Sequence, residues 1–351
     1  MQCAVKITEC HAACGVVVEL GDAYMKAEIL TLLRERDGYV SGQELCDKFG
    51  VSRTAVWKAI NQLKENGYEI EAVPNKGYHL VGQEDVLNEN EIASRLKTKW
   101  AGRKLYYAKV TGSTNLDAKS LLENGAPEGV LAVAGEQNQG RGRRGRSWQS
   151  PPDTNIYMTL GLRPDFAPDL APMITLIDAM AVAEAVEEVC GLKSQIKWPN
   201  DVVIGGKKIC GILTEMSTES NGYIQYVVIG TGINVNVREF PEEIRDKATS
   251  LCIEKGEKIL RAPIVAKCME CFEKYYERFL QTMDLSLLME DYGKRLVNKD
   301  AKVKVLDPQN EFEGIARGID KKGELLVEKE DGSIETVYAG EVSVRGVYGY
   351  V

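Results

Sequence analysis

Apolar residues recur at helical spacing through the first part of the chain and then give way to short alternating runs. Ile29, Leu30, Leu32 and Leu33 predict a helix over 26–36, which Asp37-Gly38 stops. Ser41 is placed to cap a second helix that carries Leu45 and Phe49 and ends at Gly50. Ser52 is placed to cap a third, with Val56, Ile60 and Leu63 on one face and Gly67 at its end. Residues 68–73, the turn Pro74-Asn75-Lys76-Gly77 and residues 78–80 predict strand, turn, strand. Three short helices followed by a hairpin make a winged helix-turn-helix over 25–82.

A polar helix and linker follow over 84–100. Strand-like runs at 131–134 and 156–160 alternate with helical ones, and residues 172–189 form a long alanine-rich helix. Further strands are expected at 194–198, 209–216 and 226–230, and a helical region over 261–296. This is a mixed α/β sheet domain over 83–300. From Ala301 onward short strands are separated by turns at Asp307-Pro308, Lys321-Lys322-Gly323 and Asp331-Gly332, which predicts a small β-barrel over 301–351. The fold class is α+β in three parts. Residues 1–24 carry no helix or strand pattern that joins the first helix. They are expected to be a disordered or non-native extension, as from a start codon chosen too far upstream.

Composition narrows the chemistry. The 351 residues carry a net charge of −8, so contact with a polyanion has to come from a local basic face. The third helix offers one: Arg53 and Lys58 suit phosphate, Thr54 and Asn61 suit base edges, and Lys76 sits in the wing. Trp57 either covers the helical core or presses on the DNA backbone. The competing use of the whole segment is protein contact. No apolar run is long enough to span a bilayer. The nine cysteines are scattered, and Cys268-Met-Glu-Cys271 lies in a helical pattern with no second pair near it. Buried reduced thiols in a cytoplasmic protein are expected rather than a zinc site. With His11 and His79 the only histidines, catalysis by a protein histidine is not expected.

Residues 140–148, Gly-Arg-Gly-Arg-Arg-Gly-Arg-Ser-Trp, alternate three glycines with four arginines. Glycine lets backbone N–H groups turn toward an anion, and arginine supplies a permanent charge with a planar fork. The segment lacks a Walker A ending and a Rossmann spacing. It reads as a loop closing over a small anion; the alternative is a solvated basic surface loop.

Ser113-Thr114-Asn115 and Gln137 stand before this loop. Lys197-Trp-Pro-Asn-Asp201, Gly205-Gly-Lys-Lys-Ile-Cys-Gly-Ile-Leu213 and Gly230-Thr-Gly-Ile-Asn-Val-Asn236 follow it. In this order the segments resemble the catalytic domain of biotin–protein ligases. With the winged helix in front, the chain resembles the bifunctional ligases that also repress the biotin operon, the BirA family. The resemblance covers nearly everything from Met25 onward, and it implies an SH3-like C-terminal barrel.

The resemblance implies ATP-dependent ligation of biotin to a lysine of a biotin carboxyl carrier domain through biotinyl-5′-AMP, with Mg²⁺ neutralising the departing pyrophosphate. It also implies adenylate-dependent repression by a homodimer on operator DNA. Lys208 matches the family's active-site lysine, with Lys207 a surface charge beside it. Arg141 and Arg143 lie in the loop covering biotin and the adenylate phosphate, with Arg144 beside them; Gly140, Gly142 and Gly145 let its backbone approach. Ser147 stands where family members often carry lysine. Ser113, Thr114, Asn115 and Gln137 match polar groups that bind biotin. Trp148 and Trp198 pack on ligand or are core, and core is expected for Trp198. Asn200 and Asp201 fit a polar turn, with Asp201 a candidate for ordering the Mg²⁺ shell. Gly211 belongs to the lysine segment. Gly230, Gly232 and Asn234 end a strand whose amides face the ligand, unless Gly-Thr-Gly is an ordinary tight turn. Two other readings are a lipoate-type ligase, and a regulator that uses the adenylate only as ligand.

Overall fold

The structure is a computed structural model that describes residues 14–82, 85–306, 311–338, 343–346 and 350–351, with residues 14–23 described by backbone alone. It divides into two compact units, one ending at Arg95 and the next beginning at Leu96.

The first unit holds α1 (Cys14–Glu35), α2 (Gly42–Phe49), α3 (Arg53–Glu65), β1 (Ile70–Val73), β2 (Gly77–Leu80) and α4 (Glu89–Ala93). Both expected serine caps form: Ser41 Oγ accepts from Glu44 N at 3.0 Å and Ser52 Oγ from Ala55 N at 3.3 Å. Gly50 closes α2 in the left-handed region at φ 64°, where glycine avoids a Cβ penalty. Ile29, Leu33, Leu45, Val56, Ile60 and Leu63 close a single core beneath the helices. β1 and β2 pair antiparallel as the wing, and Val40 bridges to Tyr78 beside them. Gly77 has to be glycine: its φ is +115°, and a Cβ would lie 2.0 Å from Val40 O.

Two sequence expectations shift here. The first helix starts at Cys14 rather than near Met25, so part of the segment read as an extension is helical; residues 1–13 lie outside the described residues. No proline interrupts 14–35, and the turn before Met25 continues without a break. The first unit also takes in α4, beyond the boundary expected at 82. Glu91, 4% exposed, receives Arg34 at 2.8 Å and Arg95 at 2.7 Å, and Thr31 Oγ1 donates to Ser94 O at 2.9 Å. A buried carboxylate held by two arginines ties α4 to α1.

The second unit begins with β3 (Leu105–Thr111), α5 (Thr114–Glu123), β4 (Val130–Gln137), β5 (Ile156–Leu162), α6 (Ala171–Cys190), β6 (Gln195–Lys197) and β7 (Asp201–Ile204). It continues with β8 (Lys207–Thr218), β9 (Ile224–Ile233), α7 (Leu251–Lys255), α8 (Arg261–Thr282) and α9 (Met289–Arg295). Its seven-stranded sheet runs β3-β4-β5-β9-β8-β7-β6, with β3 and β4 parallel and every other pair antiparallel. Strand residues alternate between faces. Thr231 on β9 bonds Asp178 on α6, while its neighbour Gly230 abuts Asn115 on α5. The largely buried α6 therefore covers one face, and α5 and the glycine–arginine loop lie over the other. The helical region expected over 261–296 is split at Met283, which takes φ 54°.

The C-terminal strands β10 (Lys302–Leu306), β11 (Phe312–Ile319), β12 (Leu325–Glu328), β13 (Ile334–Val337) and β14 (Ser343–Gly346) form an antiparallel sheet in the order β13-β12-β11-β10-β14. Among the described residues β13 and β14 do not pair with each other, so the expected barrel is seen as a five-stranded sheet. The turns at Gly323 and Gly332 form as expected; Asp307-Pro308 lies outside the described residues. Trp198 is core, 2% exposed, and its Nε1 donates to Gly323 O at 2.9 Å.

Candidate active site

Two cross-strand rows floor a cleft lined by polar and cationic side chains. Register sets the rows. Thr159, Gly230 and Leu213 stand side by side on β5, β9 and β8. Tyr157, Gly232, Gly211, Asp201 and Lys197 stand side by side from β5 to β6. Gly-Thr-Gly is therefore strand interior and not a tight turn, and its two glycines share one face. A Cβ at Gly230 would lie 2.0 Å from Asn115 Oδ1, and one at Gly232 would lie 2.6 Å from Trp148 Nε1. One at Gly211 would lie 3.1 Å from Trp148 Cζ3. The absent side chains let Asn115 and the Trp148 indole lie directly on the sheet.

A polar network fills the first row. Thr159 Oγ1 lies 2.7 Å from Asn115 Oδ1 and 2.8 Å from Thr114 Oγ1. Gln137 Oε1 accepts from Thr114 N at 2.9 Å, and Gln137 Nε2 donates to Ser150 Oγ at 3.0 Å. Asn115 Nδ2 donates to Glu215 Oε2 at 2.7 Å, and Lys119 pairs with Glu215 Oε1 at 2.8 Å. Burial alone would raise the Glu215 carboxyl, but Asn115, Lys119 and Arg141 hold it below the usual carboxylate range. Ser113 occupies the N-cap position of α5, yet its hydroxyl makes no capping bond. A serine there would ordinarily cap the helix.

The second row carries the charge. Lys208 Nζ pairs with Asp201 Oδ1 at 2.6 Å and lies 5.4 Å from the Trp148 ring. Its orientation comes from a bulge: Val202 pairs with Cys210 and the next residue, Val203, with Lys208, leaving Ile209 as the extra residue. A bulge resets side-chain alternation. Without it Lys207, not Lys208, would share the face of Gly211. Lys207 is exposed. Asp201 is the first residue of β7 rather than part of a turn, and Tyr350 Oη donates to its Oδ2. Burial would raise the Asp201 carboxyl, but Lys208, Lys197 and the hydrogen bonds from Lys208 and Tyr350 hold it below the ordinary range. Both oxygens of the residue expected to order a metal shell are thus turned to protein groups.

The glycine–arginine segment folds back on itself. Trp148 N donates to Gly140 O at 2.9 Å and Gly142 N to Arg146 O at 2.7 Å. Arg144 at φ 58° and Gly145 at φ 69° form the tip. Arg143 turns inward and donates to Asn200 Oδ1 at 2.8 Å. Burial depresses the Arg143 guanidinium, and Asp201 works against that. Trp148 Nε1 is buried with no protein acceptor.

The cleft gathers Ser113, Thr114, Asn115, Gln137, Arg141, Gly142, Arg143, Trp148, Lys208, Gly211 and Gly232. Besides Asp201, four expected residues do not line it. Gly140 packs its backbone against Trp148 O, and Arg144 and Gly145 face outward at the tip. Asn234 is structural: its Nδ2 donates to Thr249 O at 3.2 Å and its backbone N to Ile209 O at 2.7 Å. Sequence reasoning missed Thr159, Glu215, Lys197 and Tyr350. Two carried a local signal: Thr159, as a polar residue inside the apolar run 156–162, and Lys197, as the first residue of a segment that carries the resemblance but was given no role there.

In the first unit Arg53, Thr54, Trp57 and Lys58 are exposed on one face of α3, and Asn61 is half-buried. Trp57 is 59% exposed and does not belong to the core. Lys76 is exposed on the wing, 5.6 Å from the Tyr39 ring.

The Biotin/lipoate A/B protein ligase family matches residues 107–234, a helix-turn-helix domain family matches 26–79, and the Biotin protein ligase C terminal domain matches 302–345. The chain is 43% identical over 310 residues to the bifunctional ligase/repressor BirA of Bacillus subtilis, covering 87% of this chain and 94% of that one. It is 32% identical over 329 residues to BirA of Escherichia coli, covering 92% and 98%. The biotin protein ligase of Aquifex aeolicus, solved with biotin and ATP, superposes with a TM-score of 0.62 at 31% identity, covering 70% of this chain and 99% of that one. With three matched regions in this order and near full-length similarity, the chain belongs to the BirA family of bifunctional ligase/repressors.

Proposed function

We propose that this protein activates biotin with ATP to biotinyl-5′-AMP and transfers the biotinyl group to a lysine of a biotin carboxyl carrier domain. The same adenylate serves it as corepressor on biotin operator DNA. The observation that carries the reading is that Lys208 and Arg143 line one glycine-floored cleft together with the polar side chains of Ser113, Thr114, Asn115 and Gln137.

A carboxylate is a poor acyl donor because its leaving group is oxide. In the first step a biotin carboxylate oxygen bonds to the α-phosphorus and the bond to pyrophosphate breaks. Two anions have to meet for this, and cations fixed at the meeting point lower the barrier without reorganisation. Lys208 and Arg143 take that role. In the second step the acceptor amine attacks the acyl carbon and AMP leaves. The lysine that attacks belongs to the acceptor, and the protein positions reagents and screens charge. Thr114, Asn115, Gln137 and Ser113 hold the biotin ring, and the Ser113 hydroxyl is available because it does not cap α5. Arg141, Gly142 and the Trp148 indole close over the ligand, with Gly211 and Gly232 beneath.

Magnesium enters with the nucleotide as substrate MgATP and leaves with pyrophosphate. The cleft lining contains no carboxylate, and Asp201 is occupied by Lys208 and Tyr350, so these residues do not fit a protein-built Mg²⁺ cage.

For repression, α3 enters the major groove with Arg53 and Lys58 on phosphates, Thr54 and Asn61 at base edges, and Trp57 against the backbone, while Lys76 of the wing meets a neighbouring phosphate. A homodimer doubles these contacts. Its formation is supported by β8, whose outer edge has no strand partner after Ile212 among the described residues. Among those residues no helix is long and apolar enough to cross a membrane. The free buried thiols suit a cytoplasmic setting.

The test is incubation with MgATP and labelled biotin or lipoate, followed by isolation of an acid-labile adenylate and transfer to a carrier domain. Biotinyl-AMP formed and passed on is the expected result. Lipoyl-AMP alone would make it a lipoate-type ligase. Binding of added biotinyl-AMP without its synthesis would leave a regulator that uses the adenylate only as ligand.

A further inference from the structure

Asp201 is held from two sides. Its Oδ1 takes the Lys208 ammonium at 2.6 Å, and its Oδ2 takes a hydrogen bond from the Tyr350 hydroxyl. The Tyr350 ring also covers a second ammonium: Lys197 Nζ, on a residue only 5% exposed, lies 3.7 Å from the ring centroid. Lys197 and Asp201 are direct cross-strand partners, so the carboxylate has a lysine on each side. The neighbouring Val351 packs its Cγ2 3.0 Å from where a Cβ would stand at Gly206, in the turn that leads into Lys208. A tyrosine far from the cleft in sequence thus reaches the ion pair that holds the cleft's lysine.

We propose that Tyr350 is a positioning residue for adenylation, acting on Lys208 through Asp201. A carboxylate between two ammonium groups can pair with either. A neutral donor on Oδ2 fixes its plane and leaves Oδ1 facing Lys208, and the aromatic face adds to the stabilisation of the Lys197 charge. Lys208 is then delivered at one position over the cleft. The effect falls on the transition state, where a fixed cation matters most. Thr114, Asn115 and Gln137, which hold the biotin ring in the proposed function, gather at the separate row of Thr159, Gly230 and Leu213, so their ground-state hold on biotin is spared. The inference rests on the proposed ligase activity.

The test compares the full chain with Tyr350→Phe, Asp201→Asn and the double variant in single-turnover formation of biotinyl-AMP from biotin and MgATP. Tyr350→Phe keeps the ring over Lys197 and removes only the hydroxyl. It is expected to slow adenylation about 10-fold, the weight of one hydrogen bond to a charged group, with the KM for biotin changed by less than about twofold. If Tyr350 acts through Asp201, the double variant is no slower than Asp201→Asn alone beyond about twofold. An unchanged rate in Tyr350→Phe, a rate loss that adds to that of Asp201→Asn, or a rise in KM matching the whole loss would each overturn the proposal. Failure of the unsubstituted protein to make any adenylate would instead overturn the functional reading, and this inference with it.

Discussion

Replacing Asp178 by Asn is expected to stabilise the protein above neutral pH and to destabilise it by about 1–2 kcal/mol in acid. Asp178 lies on α6, 1% exposed, against the sheet, where it accepts a hydrogen bond from Thr231 Oγ1 at 2.7 Å. Burial pushes its carboxyl up to about 7, with the Thr231 bond opposing. In the unfolded chain an aspartate titrates near ~3.9. Between those two values the folded protein holds a proton that the unfolded chain has lost, so stability falls as pH rises through the window and levels off above it. Three units at about 1.36 kcal/mol each put the cost near 4 kcal/mol at pH 8. Asparagine cannot ionise and escapes this cost. Its Oδ1 still accepts from Thr231, but its amide adds a buried N–H without a partner, which costs about 1–2 kcal/mol. The net gain is therefore about 2–3 kcal/mol at pH 8, turning into a small loss near pH 4.5. The nearest other titratable groups, Cys210 and Cys268, are raised well above their ordinary range by burial and by Asp178, so they stay neutral throughout. Urea unfolding across this pH range, followed by tryptophan fluorescence to which Trp100, Trp148 and Trp198 of the second unit contribute beside Trp57 of the first, reads the effect. Parallel pH dependence in parent and variant, or a variant no more stable at pH 8, would refute the reasoning.

Lys208→Ala should slow adenylate formation by roughly 100-fold, as expected for a directed cation at the reacting phosphate, while Lys207→Ala changes it little; pyrophosphate release measures both, and equal effects would show the wrong lysine was chosen. Gly232→Ala brings a methyl 2.6 Å from Trp148 Nε1. It should weaken biotin binding by about tenfold or more in a calorimetric titration, on the scale of a few kcal/mol for overpacking, with the far-ultraviolet circular dichroism unchanged. Arg53→Ala and Lys58→Ala should each lower operator affinity and reduce the salt slope by about one. Adenylate formation in the same preparations should match the parent, and a matched loss of both would mean general damage instead.

Much of this molecule is local enough to read in one dimension. The serine caps, the glycine stops and the hairpin turn around Asn75 and Gly77 each follow from the conformational preference of a few adjacent residues. The cleft was legible for a different reason. Ser113 to Asn115, Gln137, the arginine loop and Gly230 to Asn234 are unusual segments whose order is informative even before their contacts are known. Asn234 shows the limit of that argument: it lies in an informative segment, yet its side chain holds the Thr249 backbone outside the cleft. Trp57 and Trp198 could not be separated by residue type, since burial of a tryptophan depends on what the rest of the chain brings over it. One is 59% exposed and the other 2%.

What the sequence determined by itself was the set of elements, the three-part order and the segments that carry the chemistry, because those depend on periodicity and composition over short stretches. What only the tertiary structure decided was which side chains meet. Strict alternation along β8 would have turned Lys207 toward Gly211, and the bulge at Ile209 turned Lys208 there instead. Register across β6, β7 and β8 set Lys197 and Gly211 on either side of Asp201, and the tertiary fold placed Tyr350 against both charges. A bulge, a register and the placing of Tyr350 are settled by packing between residues far apart in the chain, and no local pattern of residues records that outcome.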